Sequence, residues 1–355
     1  MQEILGRLSA GEDLAMDEMA QTIESIMQGQ CDDGEIGLLL TALRAKGETA
    51  AEVAGAATAM RKVMVPVKSD SHDLLDTCGT GGDASGTFNI STAAAIVTAA
   101  AGIKVAKHGN RSITSKTGSA DVLEALGVNV DAEVPVIEKC LEEVGIGFCF
   151  APRMHPAMKH VAPVRRQLGF PTIFNLLGPL CNPAGAPYQL LGVGRPEVRS
   201  MLAEALALLG TERSVIVCGA DGLDEVTLTG PTNVIEVGTS VVGGSPIGTS
   251  GNGEREGTKK EYEWTPSDFG LSVTDLTDIQ VEDAAESAAM IRTALSGEPG
   301  TARDIVVANA AAGIWTAGKT DSLTAATVQA AEAIDSGAAN DTLARWAELS
   351  RVELS

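Results

Sequence analysis

The sequence has few positive charges for its length. Its 355 residues include 26 Lys and Arg against 47 Asp and Glu, so the net charge is −21 and the pI is about 4.5. Because this charge balance does not attract phosphate polymers, it argues against general binding to nucleic acids or to anionic membranes. An anionic ligand must therefore be held locally, by backbone N–H groups, by a few Lys or Arg side chains, or by a metal ion.

Long hydrophobic runs and paired cysteines are also missing. A long uncharged run, 84–103, is rich in Ser, Thr, Asn and Gly, which is typical of a buried loop and helix rather than of a membrane span. The amino-terminal residues carry acids early and no apolar stretch, which argues against a signal peptide. None of the six cysteines has CxxC spacing, which favours free thiols in a reducing compartment. We therefore expect a soluble, cytoplasmic protein.

Familiar catalytic and metal-binding motifs are absent too. The chain has no Ser-His-Asp order, zinc spacing or HExxH motif, and its four histidines, His72, His108, His155 and His160, lack metal-ligand spacing. No side chain stands out as a covalent nucleophile. These absences favour a reaction driven by positioning and charge stabilisation.

The apolar pattern divides the chain into two kinds of segment. Residues 1–66 show apolar positions at helical spacing, which predicts an all-helical domain, and helix-like pieces near 155–185 predict a second segment of it. In 67–154 and 186–355, short apolar runs alternate with helical patterns. This alternation predicts a larger α/β domain with a mostly parallel central sheet covered by helices.

One segment of the predicted α/β domain breaks this alternation. Residues 239–260 are rich in Gly, Ser and charged residues. This composition predicts a mobile loop.

A glycine-rich stretch, DTCGTGGDASGTFNIST at 76–92, follows the first predicted strand. GTGGDA fits a dinucleotide fingerprint, but the acid expected about 20 residues further on is missing. GGDASGT at 81–87 has P-loop spacing without the Lys that contacts phosphate. Glycine backbones and the start of a helix near Ser91 still favour an anion cradle. The alternative is an Asx-turn loop that only caps a helix.

KHGNRS at 107–112 places Lys107 and Arg111 at the end of a second predicted strand. Ligands bind open α/β sheets at strand ends, so these cations favour a phosphate site. A second glycine-containing turn, at 118–121, supports that interpretation. The alternative is a solvated turn.

DGLDE at 221–225 follows a later strand and places two carboxylates, Asp224 and Glu225, side by side. A magnesium ion held by one or two carboxylates and substrate phosphates would relieve their repulsion; a polar surface turn is the alternative. Arg165 and Arg166 offer a guanidinium for a carboxylate ligand. A solvated helix face is the alternative for at least one of the pair.

These motifs together resemble the anthranilate phosphoribosyltransferase family of the tryptophan pathway. The resemblance includes GTGGD, NIST, KHGNRS, GSADVLEALG, VRRQLGFPTIFNLLGPLCNP and DGLDE in one order, and it covers nearly the whole chain. It implies transfer of ribose 5-phosphate from phosphoribosyl pyrophosphate (PRPP) to the amine of anthranilate. It also implies a fold like that of nucleoside phosphorylases and phosphoribosyltransferases, two magnesium ions per subunit, and a homodimer formed through the helical domain.

The resemblance also implies roles for individual residues. The magnesium ligands would be Ser91, Asp224 and Glu225, and the anthranilate site would contain Gly79, His108, Asn110, Arg165 and Pro179. PRPP would contact Gly79, Gly82, Asp83, Thr87, Asn89, Ser91, Thr92, Lys107 and Ser119.

The proton of the amine has several candidate acceptors. It would leave late, to pyrophosphate or water, with His108 as a further candidate base. Asp83 is unexpected in an anion site, because a carboxylate repels phosphate.

Two rival functions make different predictions. A pyrimidine nucleoside phosphorylase would carry a KHSTGG-type loop where this chain has DTCGTGGD. A non-enzymatic, nucleic-acid-binding relative would show basic grooves and a degraded DGLDE motif, whereas the chain is acidic and the motif is intact. Both rivals are therefore disfavoured.

Overall fold

The computed structural model describes residues 1–112, 118–247 and 257–353. Within these ranges the chain begins with four helices: α1 (Gln2–Ser9), α2 (Met16–Met27), α3 (Asp33–Lys46) and α4 (Ala50–Val63).

Local capping sets the starts of α3 and α4. The Asp32 side chain accepts a hydrogen bond from the Glu35 N–H (2.8 Å), and Thr49 accepts from the Glu52 N–H (3.2 Å). The Glu side chains bond back to the backbone N–H groups of Asp32 and Thr49, which completes two capping boxes. Glu52 is fully buried, and it also accepts from Leu14 N–H and pairs with Lys46. The capping residue Glu52 therefore also links neighbouring segments of the helical bundle to one another.

Eight strands among the described residues form one sheet in the order β3-β2-β1-β4-β5-β6-β8-β7. The first five in this order pair in parallel, and the last three pair antiparallel at one edge. The strands are β1 (Leu75–Gly79), β2 (Val105–Gly109), β3 (Ile146–Phe150), β4 (Tyr188–Gly192), β5 (Arg213–Gly219), β6 (Thr232–Gly238), β7 (Ser245–Ile247) and β8 (Gly257–Trp264).

Helices connect and cover these strands. After β1 the chain forms α5 (Ile90–Ala100), and α6 (Ser119–Leu126) and α7 (Val134–Glu143) lie between β2 and β3. Short helical pieces fill 151–180. They are α8 (Ala151–Met154), α9 (Ala162–Leu168), α10 (Phe174–Leu177) and 3₁₀ turns at Pro156–His160 and Gly178–Leu180.

The remaining helices follow β4 and β8. α11 (Pro196–Leu208) lies between β4 and β5, and 3₁₀ turns follow β8 at Pro266–Phe269 and Thr277–Ile279. The chain ends with α12 (Ala284–Leu295), α13 (Thr301–Thr316), α14 (Leu323–Asp335) and α15 (Ala338–Leu349).

Two hydrophobic cores lie on opposite faces of the sheet. Neighbouring residues of β4 and β5 alternate between them: Leu190 and Val215 join one core, whereas Leu191 and Ile216 join the other. The second core contains buried residues of α1–α4 together with residues 161–181. The period-2 alternation of each strand therefore places the helical bundle against one face of the sheet. The predicted fold class, a helical domain plus a larger α/β domain with a mostly parallel sheet, is confirmed.

The prediction of a mobile loop over 239–260 was wrong for part of that segment. Ser245–Ile247 forms β7, and β8 begins at Gly257 and pairs with β6 along its length. Charged residues of β8 pair with one another along the strand, as in the 2.7 Å contact between Lys259 and Glu261. Residues 248–256 lie outside the described residues. No helix in the described part of the chain is both long enough and apolar enough to cross a membrane.

Candidate functional site

The strand order reverses between β1 and β4, and their carboxyl ends meet there. The Thr80 N–H donates to the Gly192 carbonyl (2.8 Å), and the Gly194 N–H donates to the Thr80 hydroxyl (3.3 Å). Ligands of open α/β sheets bind at such switch points. The glycine-rich loop after β1 therefore borders the expected binding crevice.

The loop has the backbone conformation that its glycines allow. Gly81 and Gly82 have positive φ, and a Cβ on either would meet open space, so both lie bare at the surface of the crevice. Ala84 also has positive φ, and it is the sole non-glycine residue that does so in the described part of the chain. Unfavourable backbone angles in a loop of this kind are typical of binding sites.

The far end of the loop is fastened to the segment before α12. Val281 N–H donates to the Gly86 carbonyl (2.8 Å), and Phe88 N–H donates to the Ile279 carbonyl (3.0 Å). Thr87 bridges to Gln280, and its hydroxyl lies 3.0 Å from that of Ser85. The loop is therefore anchored at both ends, with its glycines between the anchors.

Asp224 lies directly against the glycine loop. Its carboxylate accepts a hydrogen bond from the Gly81 N–H (2.9 Å), and a Cβ at Gly79 would lie 2.7 Å from the same oxygen. A Cβ at Gly192 would overlap the Asp224 carbonyl oxygen. The turn that carries Asp224 is thus seated on two glycine backbones, and this close approach requires glycine at both positions.

Three carboxylates converge in the crevice. Desolvation, and then the nearby Asp83 carboxylate, raise the pKa of Asp224 to about 7. Desolvation and the charge of Asp224 hold the pKa of Glu225 well above its usual range, although Lys107 and the Ser91 N–H act in the opposite direction. Like charges repel in a partly desolvated crevice, so these groups favour a bound cation or a shared proton.

The donor set fits a magnesium ion that is completed by a ligand. Hard cations prefer carboxylate and hydroxyl oxygens, and magnesium usually takes one or two carboxylates together with phosphate oxygens and water. Asp224, Glu225 and the Ser91 hydroxyl supply such oxygens. Within 1–112, 118–247 and 257–353, no group of three or more His, Cys, Asp or Glu side chains is placed to hold a metal ion, so the two carboxylates would need oxygens from a hydroxyl, a ligand or water.

Lys107 is the buried cation of the site, with 2% of its surface exposed. Its ammonium donates to the Thr77 carbonyl (2.6 Å) and to the Ser91 hydroxyl (3.1 Å). Desolvation lowers the pKa of Lys107, whereas the charges of Asp76, Glu225 and Asp224 raise it. The ammonium therefore links β2 to the start of α5, directly beside the carboxylates.

Asn89 caps α5 at the same place. Its side chain accepts from the Thr92 N–H (3.0 Å) and from the Ser91 hydroxyl (3.3 Å). Thr92 is fully buried, and its hydroxyl has no hydrogen-bond partner among the described residues. The positive end of the α5 dipole therefore lies beside Lys107, and both favour a bound anion.

His108 lies at the next position of β2 and is buried. Its Nδ1 lies 3.0 Å from the Gly178 carbonyl, which can only accept, so Nδ1 carries the proton. Its Nε2 lies 3.2 Å from Nε2 of His155, which must then be the donor of that bond. Burial and the neighbouring His155 lower the pKa of His108 to about 3, and burial lowers the pKa of His155 to about 4. Both observations disfavour His108 as a general base.

Asn110 and Ser119 lie together beyond the end of β2. The Ser119 hydroxyl donates to the Asn110 carbonyl (3.3 Å), and the Asn110 side chain accepts from the Arg111 N–H (2.8 Å). The positive charge of Arg111 is balanced within the protein, because its guanidinium forms salt bridges with Asp121 (3.0 Å) and Glu124 (2.6 Å). Arg111 was expected to support a phosphate site; in the structure its charge is balanced by these two acids of α6.

Arg165 and Arg166 differ in their environments. Arg165 on α9 is half-buried, donates to the Asn175 side chain (3.2 Å) and lies over the Phe174 ring (5.7 Å). Burial lowers the pKa of Arg165, and in the part of the chain described it has no carboxylate partner. Arg166 is exposed. Neither guanidinium pairs with a carboxylate among the described residues, and the half-buried position of Arg165 makes it the stronger candidate for an external carboxylate.

Pro179 joins this region to the sheet. It is buried, and its carbonyl accepts from the side chain of Gln189 on β4 (2.6 Å). Gln189 also donates to buried Asp76 (3.3 Å), which accepts the His108 N–H (3.2 Å). The motifs around 76–92, 107–110, 178–180 and 221–225 are thus connected by hydrogen bonds, whereas no described contact joins Arg165 to them. The predicted roles of the individual residues stay predictions.

Sequence reasoning missed several residues of this network. Asp76, His155, Gln189 and Asn309 make their site contacts with residues far away in the chain, so no local pattern reveals them. One signal was present: the GVG that ends YQLLGVG contains Gly192 and Gly194, against which Asp224 and Asp83 pack.

Comparison with known proteins places the chain among characterised folds. The family model described as glycosyl transferase family, a/b domain, matches residues 71–340, and the model for the helical bundle domain of that family matches residues 2–64.

Curated relatives match over almost their whole length. The anthranilate phosphoribosyltransferase of Rhodopirellula baltica is 49% identical over 338 residues, which is 95% of this chain and 94% of the relative. That of Rhodospirillum rubrum is 48% identical over 342 residues, or 96% and 93% of the two chains.

Solved structures also align with almost the whole chain. Anthranilate phosphoribosyltransferase from Thermus thermophilus aligns with a TM-score of 0.87 and 41% identity over 98% of this chain and 99% of that one. The Saccharomyces cerevisiae enzyme in complex with PRPP and Mg aligns with a TM-score of 0.84 and 28% identity, over 98% and 97% of the two chains. The same yeast enzyme has also been solved with 4-fluoroanthranilate, and that structure aligns with a TM-score of 0.84 and 27% identity, over 98% and 97%.

Proposed function

Because the chain belongs to the anthranilate phosphoribosyltransferase family and is an enzyme of that family, we propose that it transfers the phosphoribosyl group of PRPP to anthranilate in tryptophan biosynthesis. The bond from C1 of the ribose to pyrophosphate breaks, and a bond from C1 to the anthranilate nitrogen forms. The observation that carries the proposal is the convergence of the glycine loop, Lys107 and three carboxylates at one crevice.

The pyrophosphate would lie on the loop after β1. The backbone of the glycine loop, including Gly79 and Gly82, and the positive end of the α5 dipole would favour an anion in a chain whose overall charge repels anions. Lys107, already bonded to the Ser91 hydroxyl, adds a buried positive charge at the same place. The full set assigned to PRPP is Gly79, Gly82, Asp83, Thr87, Asn89, Ser91, Thr92, Lys107 and Ser119.

Magnesium would be held by Ser91, Asp224 and Glu225, with two ions per subunit. When bound, the ions would neutralise the charge that develops on the departing pyrophosphate. Asp83 faces Asp224, and its charge adds to the repulsion that a bound magnesium ion would relieve. The yeast relative solved with PRPP and Mg supports it.

Anthranilate would bind at the less charged side of the crevice. Arg165, with no described acid partner, would pair with its carboxylate. Gly79, Asn110, His108 and Pro179 would contact the ring and amine. The yeast relative solved with 4-fluoroanthranilate supports an aromatic acid as the acceptor.

The reaction would proceed by charge separation without a covalent enzyme intermediate. Positive charge develops on the ribose ring as pyrophosphate leaves, and the neutral amine attacks C1 from the opposite side. The amine proton leaves after attack, to pyrophosphate or water, because His108 is a weak base in its buried pair with His155. Positioning and exclusion of water supply the catalysis.

The wider organisation is proposed with the function. The helical domain would contain residues 1–66 and a second segment near 155–185, and the α/β domain would contain 67–154 and 186–355. Residues 161–181 share a core with α1–α4, which supports this division. We also propose a cytoplasmic homodimer formed through the helical domain; the six free cysteines accord with a reducing compartment.

One assay tests the proposal. Anthranilate fluoresces, so purified protein with PRPP and magnesium should cause its fluorescence to fall, and omission of either should abolish the change. A protein that is folded by circular dichroism but leaves the fluorescence constant would overturn the proposed function.

A further inference from the structure

The turn between β5 and β6 carries Asp224 and Glu225 and is irregular. A turn of this kind keeps its side chains in one orientation only if its backbone groups are bonded. The Asp221 carboxylate accepts from the Leu223 N–H (3.1 Å) and from the hydroxyls of Thr227 (2.6 Å) and Thr229 (2.7 Å). These bonds shape the turn from within but leave the backbone beside Glu225 to be held by another part of the chain.

Asn309 supplies that contact from α13. It is 1% exposed, in the middle of an Ala-rich helix. Its Oδ1 accepts from the Val226 N–H (2.9 Å), and its Nδ2 donates to the Val226 carbonyl (2.9 Å) and to the Ile305 carbonyl (2.9 Å). One amide therefore bonds both peptide groups of the residue that follows Glu225.

The chemistry of this position favours a specific role over simple packing. Asn is a poor helix former, and a buried amide stabilises a fold only when its bonds are satisfied. The neighbouring side chains of α13, Ala308 and Ala310, are small and apolar, so the helix packs without polar groups on either side. The three hydrogen bonds of Asn309 offset the free-energy cost of burying an amide there.

We propose that Asn309 is a positioning residue for the cation site. By fixing the Val226 backbone it sets the direction of the Glu225 side chain, and with it the spacing of Glu225 from Asp224 and Ser91. Residues that orient metal ligands typically change metal affinity by about 10- to 100-fold when removed. This role rests on the proposed function, because it concerns the same magnesium site.

Asn309→Ala tests the role, with Thr316→Val as the matched control. Thr316 is also fully buried on α13, but its hydroxyl bonds only within the helix, to the Ala312 carbonyl (2.7 Å). Asn309→Ala should raise the magnesium concentration for half-maximal rate about 10-fold, and Thr316→Val should leave it unchanged. Both variants should lose thermal stability.

Hydrogen exchange gives a readout that needs neither activity nor metal. In Asn309→Ala, amide exchange in the peptide around 222–228 should accelerate relative to wild type, and in Thr316→Val it should not. Should Asn309→Ala fail to fold, Asn309→Ser makes the same comparison, because its hydroxyl can bond the Ile305 carbonyl, as Thr316 bonds that of Ala312, but cannot replace both bonds to Val226.

The outcomes separate the two proposals. Normal exchange at 222–228 together with an unchanged magnesium dependence in the Asn309 variant would overturn the positioning role, whatever the loss of stability. An inactive wild-type protein would overturn the proposed function, while the exchange comparison would still report whether Asn309 holds the turn.

Discussion

The two sides of the crevice differ in how they handle charge. On one side, Asp83, Asp224 and Glu225 crowd around Lys107, and their mutual effects raise the pKa values of Asp224 and Glu225. On the other, His108 and His155 are uncharged and bond to each other and to the Gly178 carbonyl. The first side needs a cation to be stable when ionised, whereas the second is suited to a neutral amine. We therefore expect the first side to control the departure of pyrophosphate and the second to control acceptor binding.

Removing the negative charges of Asp224 and Glu225 should have the largest effect on activity. Asp224→Asn combined with Glu225→Gln should lower kcat/KM by at least about 100-fold, because several kcal/mol of charge stabilisation are lost. The fluorescence assay at increasing magnesium measures this effect, and the magnesium dependence should also change.

A charge-matched control is available on α7. Glu142→Gln with Glu143→Gln removes two exposed acids away from the crevice and should leave the kinetics unchanged. If the site variant kept the wild-type magnesium profile, the cation would have to bind elsewhere.

Arg165→Ala should weaken acceptor binding at the second side of the crevice without affecting PRPP and cation binding at the first. Losing a charged hydrogen bond to a carboxylate should raise the KM for anthranilate by about 10- to 100-fold, with little change in the KM for PRPP. Arg166→Ala, at the exposed neighbouring position, is the control and should behave as wild type. An unchanged anthranilate KM in Arg165→Ala would remove this residue from the acceptor site.

A smaller effect is expected at His108. His108→Gln keeps a donor near the Gly178 carbonyl, so kcat should fall by only about 2- to 10-fold. Because the pKa of His108 is about 3, the wild-type rate should show no inflection from this group between pH 6 and pH 9. A histidine-like inflection that is absent in His108→Gln would restore its role as a base.

The smallest effect concerns stability without magnesium. Folding raises the pKa of Asp224 from 3.8 to about 7, so the folded state binds this proton more tightly. The resulting stabilisation is fully present below pH 3.8 and is lost as the pH rises through about 7. Asp224→Asn should therefore gain about 1–3 °C in Tm relative to wild type between pH 5 and pH 8. A Tm difference that does not depend on pH would contradict the raised pKa.

Sequence patterns predicted the parts of this molecule that depend on local physics. β1 to β6 are short apolar runs, and their alternation with helical patterns is what predicted a mostly parallel sheet beside an all-helical segment. The family resemblance is also confirmed. β8 was missed because GTKKEYEW is mostly polar, and it is a strand only through its pairing with β6 and β7.

The site was predictable only where one stretch of chain carries several of its groups. Lys107 with His108, and Asp224 with Glu225, are adjacent in sequence and were found. The pairing of Arg111 with Asp121 and Glu124 depends on how α6 returns to the end of β2, which spacing does not reveal. The contact of Asn309 with Val226 spans 83 positions, so only the fold shows it.

The seating of Asp224 on Gly79 and Gly192 has a consequence for protein engineering. A side chain at Gly192 would overlap the Asp224 carbonyl oxygen and displace the acidic turn, and one at Gly79 would push the Asp224 carboxylate aside. In a mutant library aimed at a new leaving group, substitutions at these two positions would therefore disturb the Asp224 carboxylate instead of reshaping the binding site. At Gly81 and Gly82 an added Cβ meets no protein atom, so there the need for glycine comes from positive φ and from the pyrophosphate proposed to lie on the loop.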